Sequence, residues 1–180
     1  MVDALYNRVD KRLIIGFAVA LAVVACIEFA IYFVVFLPLT NGTAYMELNL
    51  GYTAVDLFRF AEFYGAEGRR LYIIMSSTLD TLIPFFASSL MVMVVYQLEK
   101  LAGTRNRLGF TLAMGFCCCI SDWAENVCMI VLLTLYPVEY IINAVLARTM
   151  TTCKYLFMAV LIALIVLAAR DYRSSRKAKD

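Results

Sequence analysis

Ser121-Asp122-Trp123-Ala124-Glu125-Asn126 interrupts an otherwise apolar run from Leu108 to Leu135, and that interruption decides how the chain is read. A helix over this run, at about 1.5 Å rise per residue, is long enough to cross a hydrocarbon core of about 30 Å. Its middle nevertheless carries two carboxyl groups and an amide. On a helix Asp122, Glu125 and Asn126 stand at i, i+3 and i+4, so all three share one face. A charge at that depth costs roughly 2.5–3.5 kcal/mol on insertion scales, so this face is expected to meet protein or a wet cavity and not lipid.

The rest of the composition agrees with a membrane setting. Of 180 residues, 63% are hydrophobic and 17% charged, with a mean hydropathy of +0.81. A soluble domain is nearer half apolar and a quarter charged. The expected partner is therefore the lipid bilayer, and a net charge of +2 gives no reason to expect nucleic acid. Cys26, Cys117, Cys118, Cys119, Cys128 and Cys153 all fall inside apolar runs, which speaks against a disulfide framework and for small packing residues. The three adjacent cysteines point in three directions on a helix and cannot share one metal. The chain has no histidine, which excludes a histidine-ligated haem and a histidine base and argues against a catalytic zinc. The first apolar run is too long for a signal-peptide core and lacks a small-residue cleavage site, so it is expected to remain as a span.

Four runs have spanning length: 13–39, 71–98, 108–135 and 138–169. They predict an all-α fold, an integral membrane antiparallel four-helix bundle running up-down-up-down. Residues 1–12 form a polar N-terminus and 170–180 a basic tail, expected to be disordered. The long 40–70 loop carries aromatic and leucine residues (Leu48, Leu50, Tyr52, Leu57, Phe58, Phe60, Phe63) among Glu47, Asp56, Arg59 and Glu62. This mixture predicts an interfacial helix, or a cap over the bundle, from about Thr53 to Tyr64 and ended by Gly65 and Gly68. Eleven lysines and arginines flank the termini and the 99–107 turn, against three in the 40–70 loop and the last turn. The positive-inside rule then places both termini on the cytoplasmic side, or the matrix or stromal side in an organelle. The sequon Asn41-Gly42-Thr43 falls on the opposite side but abuts span one, where it is poorly placed for glycosylation.

Counting inward at about 1.5 Å per residue from each span's far end, Glu28, Asp80, Glu125 and Thr151 lie about 14–17 Å deep. Asp122 and Lys154 lie about 20–22 Å deep on the same count. Each span thus brings a charge to one layer, where independent accidents would scatter. Glu28, Asp80, Asp122 and Glu125 offer up to four negative charges against Lys154 and Arg148, and Arg148 is also placed to snorkel outward. Either two carboxyls carry protons or the layer holds a cation. Pro84 would free the carbonyl of Asp80, four residues back, and Asp80, Asp122 and Glu125 are the oxygen ligands for a hard divalent cation. No other cofactor is implied. The competing reading has Lys154 bridging Asp122 or Glu125, with Asn126, Ser77 and Thr151 as interhelical hydrogen-bond glue and Trp123 as packing.

Asp80 followed by Pro84, Asp122-x-x-Glu125-Asn126, and Thr151-Thr152-x-Lys154-Tyr155, in successive spans, resemble a family of small four-span membrane proteins of bacteria and protists whose function is unassigned. The resemblance covers about residues 70–160 and implies Asp80, Asp122, Glu125, Asn126 and Lys154 as shared residues. It supplies no reaction, and Glu28 and the aromatic loop lie outside its pattern.

Three functional classes follow. The layer binds a cation, a proton or a lipid headgroup, in a binding or transport role. Alternatively the protein is a membrane enzyme acting on a lipid, with Lys154 steadying a phosphate or oxyanion. In the third class it is a structural subunit of a membrane complex. Transport would call for a homo-oligomer, because four helices enclose little room. Tags on the two termini are expected to be accessible from the same cytoplasmic-type side, with the 40–70 loop opposite. A protease-protection assay that found the ends on different sides would remove the four-span topology.

Overall fold

The structure is a computed structural model that describes residues 6–46 and 52–177. Asp3, Glu47, Leu48, Leu50 and Lys179 lie outside the described residues. Among the described residues the main helices are α1 (Lys11–Leu39), α2 (Ala54–Phe63), α3 (Gly65–Ser77), α4 (Leu79–Ala102), α5 (Leu108–Leu135) and α6 (Ile141–Lys177). Four continuous or nearly continuous rods result, because α3 and α4 form one span broken at Thr78. All four are long and apolar enough to cross a membrane. The most apolar window of α1 buries none of its residues, and Val34 and Ile142 are more than 70% exposed. Outward-facing aliphatic side chains in such numbers suit a lipid surround and not water.

The termini meet at one end of the bundle. Lys100 Nζ donates to the Val9 carbonyl at 3.3 Å, and the Arg105 guanidinium lies 4.7 Å from the centroid of the Tyr6 ring. Arg107 bridges Glu99 at 3.1 Å and Asp171 at 2.7 Å, tying the end of α4, the following turn and α6 together. The tail is therefore not disordered as far as Lys177. Helix α6 runs through it, because its register turns Asp171 toward Arg107.

The loop helix is present as α2. Its N-terminus carries a capping box, in which the Thr53 hydroxyl accepts from the Asp56 N–H and the Asp56 carboxylate accepts from the Thr53 N–H. The Thr53 hydroxyl also donates to that carboxylate at 2.7 Å, and this bond first, with the Thr53 N–H second, holds the Asp56 carboxyl below its ordinary range. Leu57, Phe58 and Ala61 are buried, in one cluster with Ala144 and Ala147 of α6. The apolar face of α2 is thus spent on the bundle. Its beginning sits deep, since the Tyr52 hydroxyl is 2.6 Å from that of Thr151, about 15 Å along α6 from Ile141. Its end lies at the far end of the bundle, where Arg69 donates to the Ala61 carbonyl and covers the Tyr136 ring. The segment therefore runs along the side of the bundle and does not lie across its end.

Gly65 ends the loop helix as expected, whereas Gly68 does not lie in a loop after it. Gly65, at φ +63°, turns the chain straight from α2 into α3. Gly68 lies inside α3, against Thr40, where a Cβ would come within 2.8 Å of the threonine methyl. The break at Thr78 has a local cause. The Ser77, Thr78 and Thr81 hydroxyls donate to the carbonyls of Ile73, Ile74 and Ser76, which replaces backbone partners around it. Helix α1 carries its own irregularity, a π-helical turn over Tyr32–Phe36 that turns both end residues inward.

Helices α4 and α5 approach closely at Gly115, where a Cβ would overlap the Val92 side chain. Gly115→Leu is expected to cost about 1–3 kcal/mol through forced separation of these helices. Gly109→Leu, which meets open space, is the control. Thermal unfolding in detergent should separate the two variants, and equal melting would contradict the packing.

Candidate functional site

Glu125 is wholly buried in the middle of α5, and one turn back Asp122 is half-buried on the same face. Lys154 of α6 reaches between them. Its Nζ donates to Asp122 Oδ1 at 3.1 Å and pairs with Glu125 Oε2 at 2.7 Å, the second contact lying off the direction of a good hydrogen bond. The other Glu125 oxygen, Oε1, accepts from the Thr151 hydroxyl at 2.7 Å. Since that hydroxyl has one proton, the Tyr52 hydroxyl at 2.6 Å is its donor. A chain Tyr52→Thr151→Glu125 thus runs beside the lysine bridge. Tyr52 was legible in the sequence only as one aromatic in the loop; nothing there signalled its place in this chain.

The remaining two carboxylates lie on the other side of Asp122. Asp80, in the first turn of α4, has Asp122, Lys154, Asn126 and Glu125 as its charged and polar neighbours, and Glu28 of α1 faces Asp80 and Asp122. All four rods therefore deliver a charge to one layer, as the depth count anticipates. Glu28 Oε2 is buried without a hydrogen-bond partner. Asn126, 3% exposed, lies within reach of Asp80, yet neither its oxygen nor its nitrogen makes a hydrogen bond of good geometry. Glu28 and Asp80 line a cavity of about 260 Å³ between α1 and α4, together with Phe29, Tyr32, Tyr45 and Ile83.

Other expected members fall elsewhere. Arg148 is exposed on the outer side of α6, lining a groove of about 360 Å³ with Tyr52, Thr152 and Tyr155, and takes no part in the charge balance of the layer. Ser77 bonds its own helix and joins no other. Trp123 both packs and holds, its Nε1 donating to the Thr81 carbonyl at 2.9 Å near the break in span two. The six cysteines are free thiols. Among the described residues no three His, Cys, Asp or Glu side chains converge on a metal position, and the Lys154 ammonium occupies the place between Asp122 and Glu125.

Compared with protein-family models, with curated proteins and with solved structures, the chain matches none.

The layer thus has two halves. In one, Lys154 pairs with Asp122 and Glu125 and the Thr151 hydroxyl bonds Glu125; in the other, Glu28 and Asp80 form no salt bridge among the described residues. Lys154→Met is expected to destabilise the bundle by about 1–3 kcal/mol, between the average for polar pairs in membranes and the cost of orphaning a buried charge in a soluble core. Adding Glu125→Gln should return most of that loss in a detergent unfolding experiment. A double mutant no more stable than the single one would show that the bridge is not what couples α5 to α6.

Proposed function

We propose that this is a multi-pass membrane protein that binds a cation, in exchange for protons, at the Glu28–Asp80 side of its polar layer. The observation that carries this reading is the charge imbalance: four carboxylates gather around one lysine, and that lysine is engaged by Asp122 and Glu125. In a low-dielectric interior the excess negative charge must be balanced by protons or by a bound cation. The paired half then serves as scaffold, holding α5 and α6 in register, and the unpaired half is the exchanging site. Transport across the membrane is the further role this exchange supports, and a homo-oligomer or a larger membrane complex would supply the room for a pathway. Lys154 pairs with two carboxylates, which supports this reading over a lipid-processing enzyme in which it would steady a phosphate or oxyanion. Both termini are assigned to the cytoplasmic-type side, because the cationic residues concentrate at the end of the bundle where the termini meet.

The test is proton release. Purified protein in weakly buffered detergent should release protons when sodium, magnesium or an ammonium salt is added. The groups that could supply them are Glu28, Asp80, Asp122 and Glu125, with Lys154, Tyr32 and Tyr45 as the other ionisable side chains around the layer. Binding should weaken as pH falls, since each added proton discharges a carboxylate that would hold the cation. The Glu28→Gln, Asp80→Asn double variant should lose the release while Lys154 stays paired. Absence of both binding and proton release with every cation tried would defeat the proposal.

A further inference from the structure

We infer that the cavity between α1 and α4 takes a lipophilic organic cation, an ammonium bearing apolar substituents, held by Glu28 and Asp80 and by the ring faces of Phe29, Tyr32 and Tyr45. The inference rests on the cation-binding reading above and names the class of cation. Its first support is the composition of the walls. Two carboxylates supply charge, and the other lining residues are three aromatic rings with Ala25 and Ile83. A hard cation such as Mg²⁺ or Ca²⁺ wants about six or more oxygen ligands, and this lining does not provide them. The Tyr45 hydroxyl is turned away to the Met75 sulfur at 2.9 Å, so that residue offers the cavity its ring. An alkylated ammonium has the opposite needs. It is satisfied by a carboxylate at the charge and by aromatic faces around its substituents, and each cation–π contact gains strength as water is excluded.

The second support is the way the walls are held. Tyr32 and Tyr45 pack at 4.6 Å between ring centroids, and Tyr45 is in turn braced by Phe36 at 4.4 Å and Tyr72 at 5.2 Å. The π-helical turn that begins at Tyr32 sets the register by which Tyr32 and Phe36 both face inward, one turn beyond Glu28. Asn126, almost fully buried, lies within reach of the Asp80 carboxylate, where its amide can follow that group as it changes charge. The third support is access. Phe29 is 61% exposed on the outer side of α1, so the cavity mouth faces the surround of the bundle, where an amphiphilic cation would already be concentrated.

The probe is benzyltrimethylammonium, titrated calorimetrically into the intact protein in detergent, with sodium and magnesium chloride titrated separately. Trp123, the chain's one tryptophan, donates to the carbonyl next to Asp80 and gives a parallel fluorescence signal. Saturable binding is expected, weakened at least tenfold by Asp80→Asn and by Glu28→Gln, and severalfold by Tyr32→Leu, which keeps an apolar side chain but removes the ring. Arg148→Gln, on the opposite side of α6, should bind like the native protein. Circular dichroism and the melting temperature identify any variant that has failed to fold, and the remaining carboxylate variant then carries the test. Sodium or magnesium binding without benzyltrimethylammonium binding would overturn the organic-cation inference and leave the cation-binding reading intact. Benzyltrimethylammonium binding indifferent to Glu28→Gln and Asp80→Asn would overturn the inference as well. No binding of any cation and no proton release would overturn both.

Discussion

The bundle depends on how one carboxylate is kept in its middle. Glu125 has no exposed surface, and an ionised carboxylate in such a place is tolerable only with a counter-charge and hydrogen bonds on its oxygens. Lys154 and Thr151, one turn apart on α6, provide both. That requirement fixes α6 against α5 in rotation and in height. It also reaches outward, because Thr151 needs the Tyr52 hydroxyl as its donor and so helps hold the beginning of α2 at depth. A loop that would otherwise lie over the bundle is thereby drawn into it.

The backbone irregularities fall around this layer and not at random. Span two breaks at Thr78, two residues before Asp80, and Pro84 follows one turn later. Span one changes to a π-helical turn four residues after Glu28. The break in span two is covered locally, by the Ser77, Thr78 and Thr81 hydroxyls and by the Trp123 indole on the Thr81 carbonyl. Broken helices at depth are stable where they line protein or a cavity, and the cavity beside Glu28 and Asp80 is such a place. The scaffold half of the layer is rigid and neutralised, and the irregular half is where charge remains to be balanced.

The end of the bundle near the termini solves a similar problem by other means. Glu99 is fully buried, and Arg107 covers one of its oxygens while also gripping Asp171. Three segments distant in sequence are clamped there, and the Tyr96 hydroxyl adds a bond to the Leu108 carbonyl at 2.8 Å. Between the two charged levels the contact is close and apolar, with Gly115 admitting Val92. Polar clamps at two heights with small-residue packing between them restrict sliding of the helices along one another.

Much of this was legible in the sequence, for a physical reason: transfer from water to hydrocarbon is so costly for charge that length, apolarity and the depth of each charged residue constrain the answer locally. Four long apolar helices follow from counting residues, and a helix from about Thr53 from the mixture of aromatic and charged residues in the loop. Which carboxylates Lys154 would take does not follow, because helix rotation is set by packing across the whole interface. The same holds for Arg148, which counting puts near the layer and α6 turns outward, and for Tyr52, brought to Thr151 from 99 residues away. The persistence of α6 through Lys177 depends on Arg107 meeting Asp171, a contact between segments that no local pattern relates. Depth is a property of one helix and can be read along it. Partnership belongs to the bundle, and only the folded arrangement decides that Lys154 pairs with Asp122 and Glu125 while Glu28 is left facing Asp80 and Asp122.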